Sequence, residues 1–188
     1  MPLYRLDSAH KLIPLDRGLP TEDEYAQTMA TLAWNDPEAF LGRPLLPVAI
    51  SPDIGVEVNP GAMFLDQTAH LVLVEFARQG TRDLLAGYID HVSWAANAGM
   101  ESIAALYHRG PQRFTEDWRA FSPTELPERP ERPPWLVIVA ADLYGRDIAS
   151  FNFLLETSVV LCMVRAAIYT GSEGERILGV ERDDVGGI

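Results

Sequence analysis

The segment from Trp135 to Ala141 constrains the fold more than any other part of the chain, because every one of its residues is apolar. Such a run is typical of a central strand that is buried on both faces of a sheet. It is too short to cross a membrane, which needs roughly 18 apolar residues, and so is the other long apolar run, from Val159 to Val164. We therefore expect a soluble chain whose central sheet is covered by helices.

Helix and strand signals alternate along the rest of the chain. Thr21 followed by Glu24 forms a capping-box pattern, and Asp36-Pro37 is typical of a helix start. Proline-rich 122–134 predicts an exposed loop. The predicted helices cover 21–34, a short segment from Asp36, 81–98, 101–108, 115–121 and 147–157, and the predicted strands cover 3–6, 12–15, 45–50, 55–59, 63–65, 70–76, 135–141, 159–169 and 176–181.

This order predicts an α/β fold with a mixed central sheet flanked by helices. An N-terminal hairpin and helix, residues 1–44, would pack on a core formed by 45–182, and 183–188 would be a tail. The chain has 188 residues, a length that a single domain with one such core accommodates.

The charge balance argues against nucleic acid as a partner. The chain has 15 basic and 27 acidic residues, which gives a net charge of −12, and its only lysine is Lys11. Nucleic-acid affinity depends largely on Lys and Arg side chains that neutralise phosphates. The N-terminus lacks a signal-peptide pattern, so we expect a cytoplasmic protein in which the lone Cys162 is a buried thiol.

Several local sequences recur in a known family in the same order. They are the turn Asn35-Asp36-Pro37-Glu38, the strand from Leu71 to Glu75, the helix end from Ala86 to Trp94, and the strand from Leu136 to Val139. With the opening hairpin, this series resembles the restriction-endonuclease-like PD-(D/E)XK superfamily, in its branch related to the mismatch-endonuclease catalytic domain. The resemblance covers nearly the whole chain and implies a bacterial nuclease fold.

The resemblance also implies where a metal site would lie, and the chain departs from it. Family members hold Mg²⁺ or Mn²⁺ with an Asp on one strand and a Glu-X-Lys on the next, and a Gln and a Tyr on the following helix complete the site. Here only Glu75 matches. The other four positions fall at Gly61, Ala77, Gly87 and His91.

A single carboxylate is a poor magnesium site, because Mg²⁺ dehydrates reluctantly and depends on the geometry of its ligands. We therefore expect no metal cofactor. Glu57 and Asp66 are the acidic residues near enough in sequence to restore a site with Glu75, and Lys11 is the one lysine available to replace the missing one.

The altered site suggests a different use for Glu75 and His91. A Glu–His pair can act as a general acid and base, since burial shifts both pKa values toward neutrality. The alternative is a core histidine paired with a remaining carboxylate. Tyr88, Trp94, Asn59 and Arg78 are candidate ligand-binding residues, although Arg78 should point to the opposite face of the strand from Glu75.

These observations lead to three hypotheses about function. The first is a nuclease-fold protein that has lost metal-dependent activity and binds a ligand or a protein partner, as a homodimer or in a complex. The second is an enzyme that acts on a small molecule through Glu75 and His91. The third is a surviving metal-dependent DNA endonuclease.

Overall fold

The computed structural model describes residues 4–6, 12–18, 20–56, 59–79, 82–142, 160–171 and 173–183. Within these ranges the chain forms a two-stranded sheet, a seven-stranded sheet and five helices. The helices are α1 (Glu22–Asn35), α2 (Pro37–Leu41), α3 (Arg82–Asn97), α4 (Met100–Ala105) and α5 (Pro111–Phe121). The strands are β1 (Tyr4–Leu6), β2 (Leu12–Pro14), β3 (Asp16–Arg17), β4 (Leu46–Ile50), β5 (Ala62–Leu65), β6 (His70–Gln79), β7 (Glu131–Asp142), β8 (Val160–Thr170) and β9 (Arg176–Asp183).

The large sheet is mixed, with parallel strands at its centre. Its strands follow the order β3-β8-β7-β6-β5-β4, and β9 also pairs with β8. Strands β6, β7 and β8 are parallel, with Leu73 opposite Leu136 and Leu136 opposite Leu161. The remaining pairs of this sheet are antiparallel. The small sheet is the antiparallel hairpin β1–β2.

Each face of the large sheet carries its own hydrophobic core, as expected for a sheet with buried parallel strands. On one face Leu71, Leu73 and Ile138 pack with residues of α3, α4 and α5, including Trp118, which is fully buried. On the other face Val72, Val74 and Val139 pack with residues of α1 and α2. The protein is therefore an α/β fold with a mixed sheet flanked by helices.

The helix starts on the second face are fixed by side-chain caps. The Thr21 hydroxyl accepts a hydrogen bond from the Glu24 backbone N–H, and the Glu24 carboxylate accepts one from the Thr21 N–H, which completes a capping box. The Asp36 carboxylate caps α2 by accepting from the Ala39 N–H at 2.9 Å, with Pro37 in the first turn. Both starts agree with the prediction.

Some elements differ from the prediction. Gly55, Val56 and Asn59 are not in a strand, whereas a strand was expected over 55–59. Strand β7 begins at Glu131, so the last residues of the expected loop are extended. Pro133 and Pro134 lie where the β6–β7 register shifts between His70 and Val72, and prolines in strands occur mainly at such irregularities.

Other differences concern lengths and ends. Helices α4 and α5 begin earlier than expected, the two-residue strand β3 was not expected, and β9 includes residue 183 of the expected tail. The predicted helix over 147–157 lies outside the described residues. None of the helices in the described ranges is long and apolar enough to cross a membrane.

Candidate functional site

Glu75 and His91 meet between β6 and α3. Glu75 has the same parity on β6 as Leu71 and Leu73, so its side chain points to the face that α3 covers. Its Oε1 lies 2.7 Å from Nδ1 of His91. The two residues are only 7% and 1% exposed, so this contact between a carboxyl and an imidazole lies within the core.

Burial controls the protonation of this pair. It raises the pKa of the Glu75 carboxyl above its usual value, and this effect outweighs the opposing effects of His91 and of a hydrogen bond from the Gly61 backbone N–H. Tyr88, with its ring 6.5 Å from that of His91, is also buried. Burial raises the pKa of the Tyr88 hydroxyl, and the nearby charge of Glu75 adds to this shift, so Tyr88 stays neutral.

Gly61 occupies the place that the resemblance assigns to the family's Asp. It directly precedes Ala62, which pairs with Val74 on β6, so Gly61 lies beside Glu75. A Cβ built on Gly61 would lie 2.6 Å from Cδ2 of Phe76 and 3.1 Å from the Val74 carbonyl oxygen. An aspartate at this position therefore does not fit unless Phe76 moves.

The described residues do not assemble the ligands that Mg²⁺ or Mn²⁺ requires. The carboxylate of Asp66 accepts from Thr68 and contacts Nδ1 of His70 at the start of β6. From His70 to Glu75 the strand extends by about 16 Å, so Asp66 lies too far from Glu75 to share a metal ion with it. Glu57 lies outside the described residues, and no group of three or more His, Cys, Asp or Glu side chains elsewhere in the described ranges can hold a metal.

The other predicted ligand-binding residues lie in three different places. Tyr88 belongs to the core beneath α3. Trp94 is half-buried and lines an open groove of about 420 Å³ between α3 and the loop at 54–56. Asn59 holds that loop by accepting a hydrogen bond from the Ile54 N–H at 3.2 Å. Arg78 lies on the opposite face of the sheet, where its guanidinium donates to the carbonyl of Pro20.

Comparisons with known proteins do not extend this description. No family model matches the chain. No curated protein and no solved structure matches it either. The functional argument therefore depends on the geometry.

Sequence patterns do not predict a second cavity, which lies on the α1 side of the sheet. It is about 180 Å³ in volume and lies where β6, β7 and β8 end, between Arg17, Arg78 and Asp142. Arg17 lies in β3 and Arg78 lies in β6, 61 positions further along the chain. No local motif joins such residues, and Arg17 lies in a strand too short to produce a periodic pattern. We refer to it below as the Arg17–Arg78 cavity.

Proposed function

We propose that this chain is a binding protein on a PD-(D/E)XK-like scaffold in which a buried ion pair replaces the metal site. The observation that carries the proposal is the contact of 2.7 Å between the Glu75 carboxylate and the His91 imidazole inside the core. A carboxylate held in this way is directed at a histidine and away from solvent. It is poorly available to a hydrated metal ion.

The surroundings of the pair support this proposal over a nuclease. Metal-assisted phosphodiester cleavage depends on fixed carboxylates that hold the ion near the phosphate. Among the described residues no group of three or more His, Cys, Asp or Glu side chains could hold the ion, Ala77 has no amine, and Phe76 occupies the space that a side chain at Gly61 would need.

The same burial argues against a small-molecule enzyme that uses Glu75 and His91. A general acid or base must come within hydrogen-bond reach of the proton that it transfers. With 1% of His91 and 7% of Glu75 exposed, a substrate cannot touch either group in this conformation. The pair therefore fits a structural role.

The proposed partner is a second copy, another protein or a small ligand. Support for a second copy comes from β9, which pairs only with β8 in the described part of the chain. An open edge strand presents unpaired N–H and C=O groups, which are a template for pairing with another chain.

Metal-dependent activity is the direct test of the proposal. Supercoiled and single-stranded DNA should stay intact with Mg²⁺ or Mn²⁺, and calorimetry should detect no saturable Mg²⁺ binding, because one carboxylate cannot replace the hydration of the ion. Cleavage that is lost in Glu75→Gln but kept in Glu101→Gln, a matched change on the exposed face of α4, would overturn the proposal.

A further inference from the structure

The Arg17–Arg78 cavity has the form of a small-ligand site. Its volume of about 180 Å³ is large enough to hold several water molecules. It lies at the carboxyl ends of the parallel strands β6 and β7, the edge at which α/β sheets commonly bind ligands. Its walls include the apolar groups of Tyr25, Ala141 and Ile168, and an apolar wall strengthens the interaction of a ligand with nearby charges.

Arg78 lines this cavity, and one donor of its guanidinium has no partner among the described residues. One terminal nitrogen of its guanidinium donates to the Pro20 carbonyl at 3.1 Å. Its Nε–H is buried and has no hydrogen-bond acceptor within the described part of the chain. The nearest carboxylate oxygen belongs to Glu22, and at 3.9 Å it is beyond hydrogen-bond reach. A buried N–H without an acceptor costs free energy, which a ligand oxygen would recover if the Arg78 side chain turned toward it.

The remaining charged groups around the cavity have partners of their own. Arg17 donates to the Asp142 carboxylate at 3.0 Å and to the Ala141 carbonyl at 2.7 Å. The other Glu22 oxygen accepts from the Arg78 backbone N–H at 2.5 Å. The Tyr25 hydroxyl donates to the Ala166 carbonyl, and burial raises its pKa, so it stays neutral. The group that an added ligand can satisfy is therefore the Arg78 guanidinium.

We propose that the Arg17–Arg78 cavity binds a small oxyanion, a carboxylate or a phosphate group, through the guanidinium group of Arg78, while Arg17 stays paired with Asp142 in the cavity wall. Guanidinium groups match both anions because their N–H donors form a planar fork. Asp142 and Glu22 balance the two arginines, and the whole chain has a net charge of −12, so binding should be weak and sensitive to salt. The inference adds a ligand class to the proposed binding function. It rests on that function only for what the bound anion is used for, because the site itself is argued from the cavity.

Thermal unfolding of the full chain tests the site with inorganic phosphate and with acetate, each compared with sodium chloride at equal ionic strength. A ligand that binds the folded state raises the melting temperature progressively with its concentration. We expect such a rise with at least one of the two anions, and the larger rise identifies the preferred group. No rise beyond that in chloride would overturn the inference.

Two variants and a control locate the effect. Arg78→Gln should abolish the rise. Arg165→Gln should keep it, because Arg165 pairs with Glu181 at the β8–β9 surface, outside the cavity. If Arg78→Gln does not fold, Ala141→Leu keeps both arginines and fills the cavity, and it should abolish the rise as well. Phosphate also stabilises folded proteins through exclusion from their surface, and this effect is the same in every variant. A rise that is as large in a folded cavity variant as in Arg165→Gln overturns the inference. The nuclease test concerns Glu75 alone, so the two proposals can fail independently.

Discussion

At the scale of single residues, the pairing of Glu75 with His91 explains how a carboxylate is tolerated inside this core. An isolated buried charge is costly, and a close cation repays part of that cost. The contact of 2.7 Å places beside the carboxylate an imidazole that carries a positive charge when it is protonated, while removal of one partner leaves the other uncompensated. Replacement of both partners by apolar groups removes the charge and the need for compensation together.

His91→Leu should therefore destabilise the protein by about 3–5 kcal/mol at neutral pH, the usual cost of breaking a buried pair. The double variant Glu75→Leu/His91→Leu should recover most of this loss. Urea unfolding of the wild type, both single variants and the double variant measures the coupling. Equal destabilisation of His91→Leu and the double variant would contradict a paired role for these side chains.

The raised pKa of Glu75 also predicts a pH dependence. The usual value is 4.5 and burial raises it in the folded state. Between the usual pKa of the unfolded chain and the raised pKa of the folded protein, the folded state binds the proton more tightly than the unfolded state does. The free energy of unfolding therefore falls as pH rises through this window. Glu75→Gln should remove this fall, which unfolding curves from pH 4.5 upward measure.

The exposed variant Glu101→Gln is the control for this measurement, and its pH dependence should follow that of the wild type. If Glu75→Gln and the wild type lose stability in parallel over the same window, the carboxyl of Glu75 does not have the raised pKa.

At the scale of elements, the sequence predicts what local chemistry determines. The capping residues Thr21 and Asp36 locate two helix starts, and the apolar run from Trp135 locates the central strand β7. Prediction from the sequence fails where residues that are far apart in the chain determine an element. Strand β3 has two residues and exists only because β8 pairs with it. The candidate pair followed from the positions that the family resemblance assigns to Glu75 and His91, whereas the Arg17–Arg78 cavity required the complete sheet.

Thr21→Ala should lower the stability of the protein by about 1 kcal/mol, because it removes the acceptor for the Glu24 N–H at the start of α1. Thr31→Ala is the matched control. Thr31 is exposed within the same helix and bonds only to the Gln27 carbonyl, and alanine there has a higher helix propensity. Chemical denaturation compares the two variants, and equal losses would show that the cap does not stabilise α1.

At the scale of the whole molecule, the net charge of −12 acts on a fold whose ion pairs are mostly at the surface. Exposed pairs contribute little to stability, whereas an excess of one sign destabilises the compact state by self-repulsion. The repulsion should dominate the response of this protein to salt.

Raising sodium chloride from about 20 to about 200 mM should therefore increase the melting temperature, because the screening length falls below the distance between many surface charges. Choline chloride should have the same effect at equal ionic strength, since screening does not depend on which cation is present. A melting temperature that falls with salt would show that attractive pairs outweigh the repulsion.

The pairing of β3 with β8 has a consequence for the order in which the molecule assembles. Asp16 lies opposite Thr170, 154 positions further along the chain, while Leu65 and Leu71 of the β5–β6 hairpin are 6 positions apart. Closing the longer loop costs about 3 kcal/mol more chain entropy. The contact between β3 and β8 should therefore form late in folding, after the hairpin. Arg17 reaches Asp142 only at that stage, so a partly folded chain would lack the Arg17–Arg78 cavity altogether.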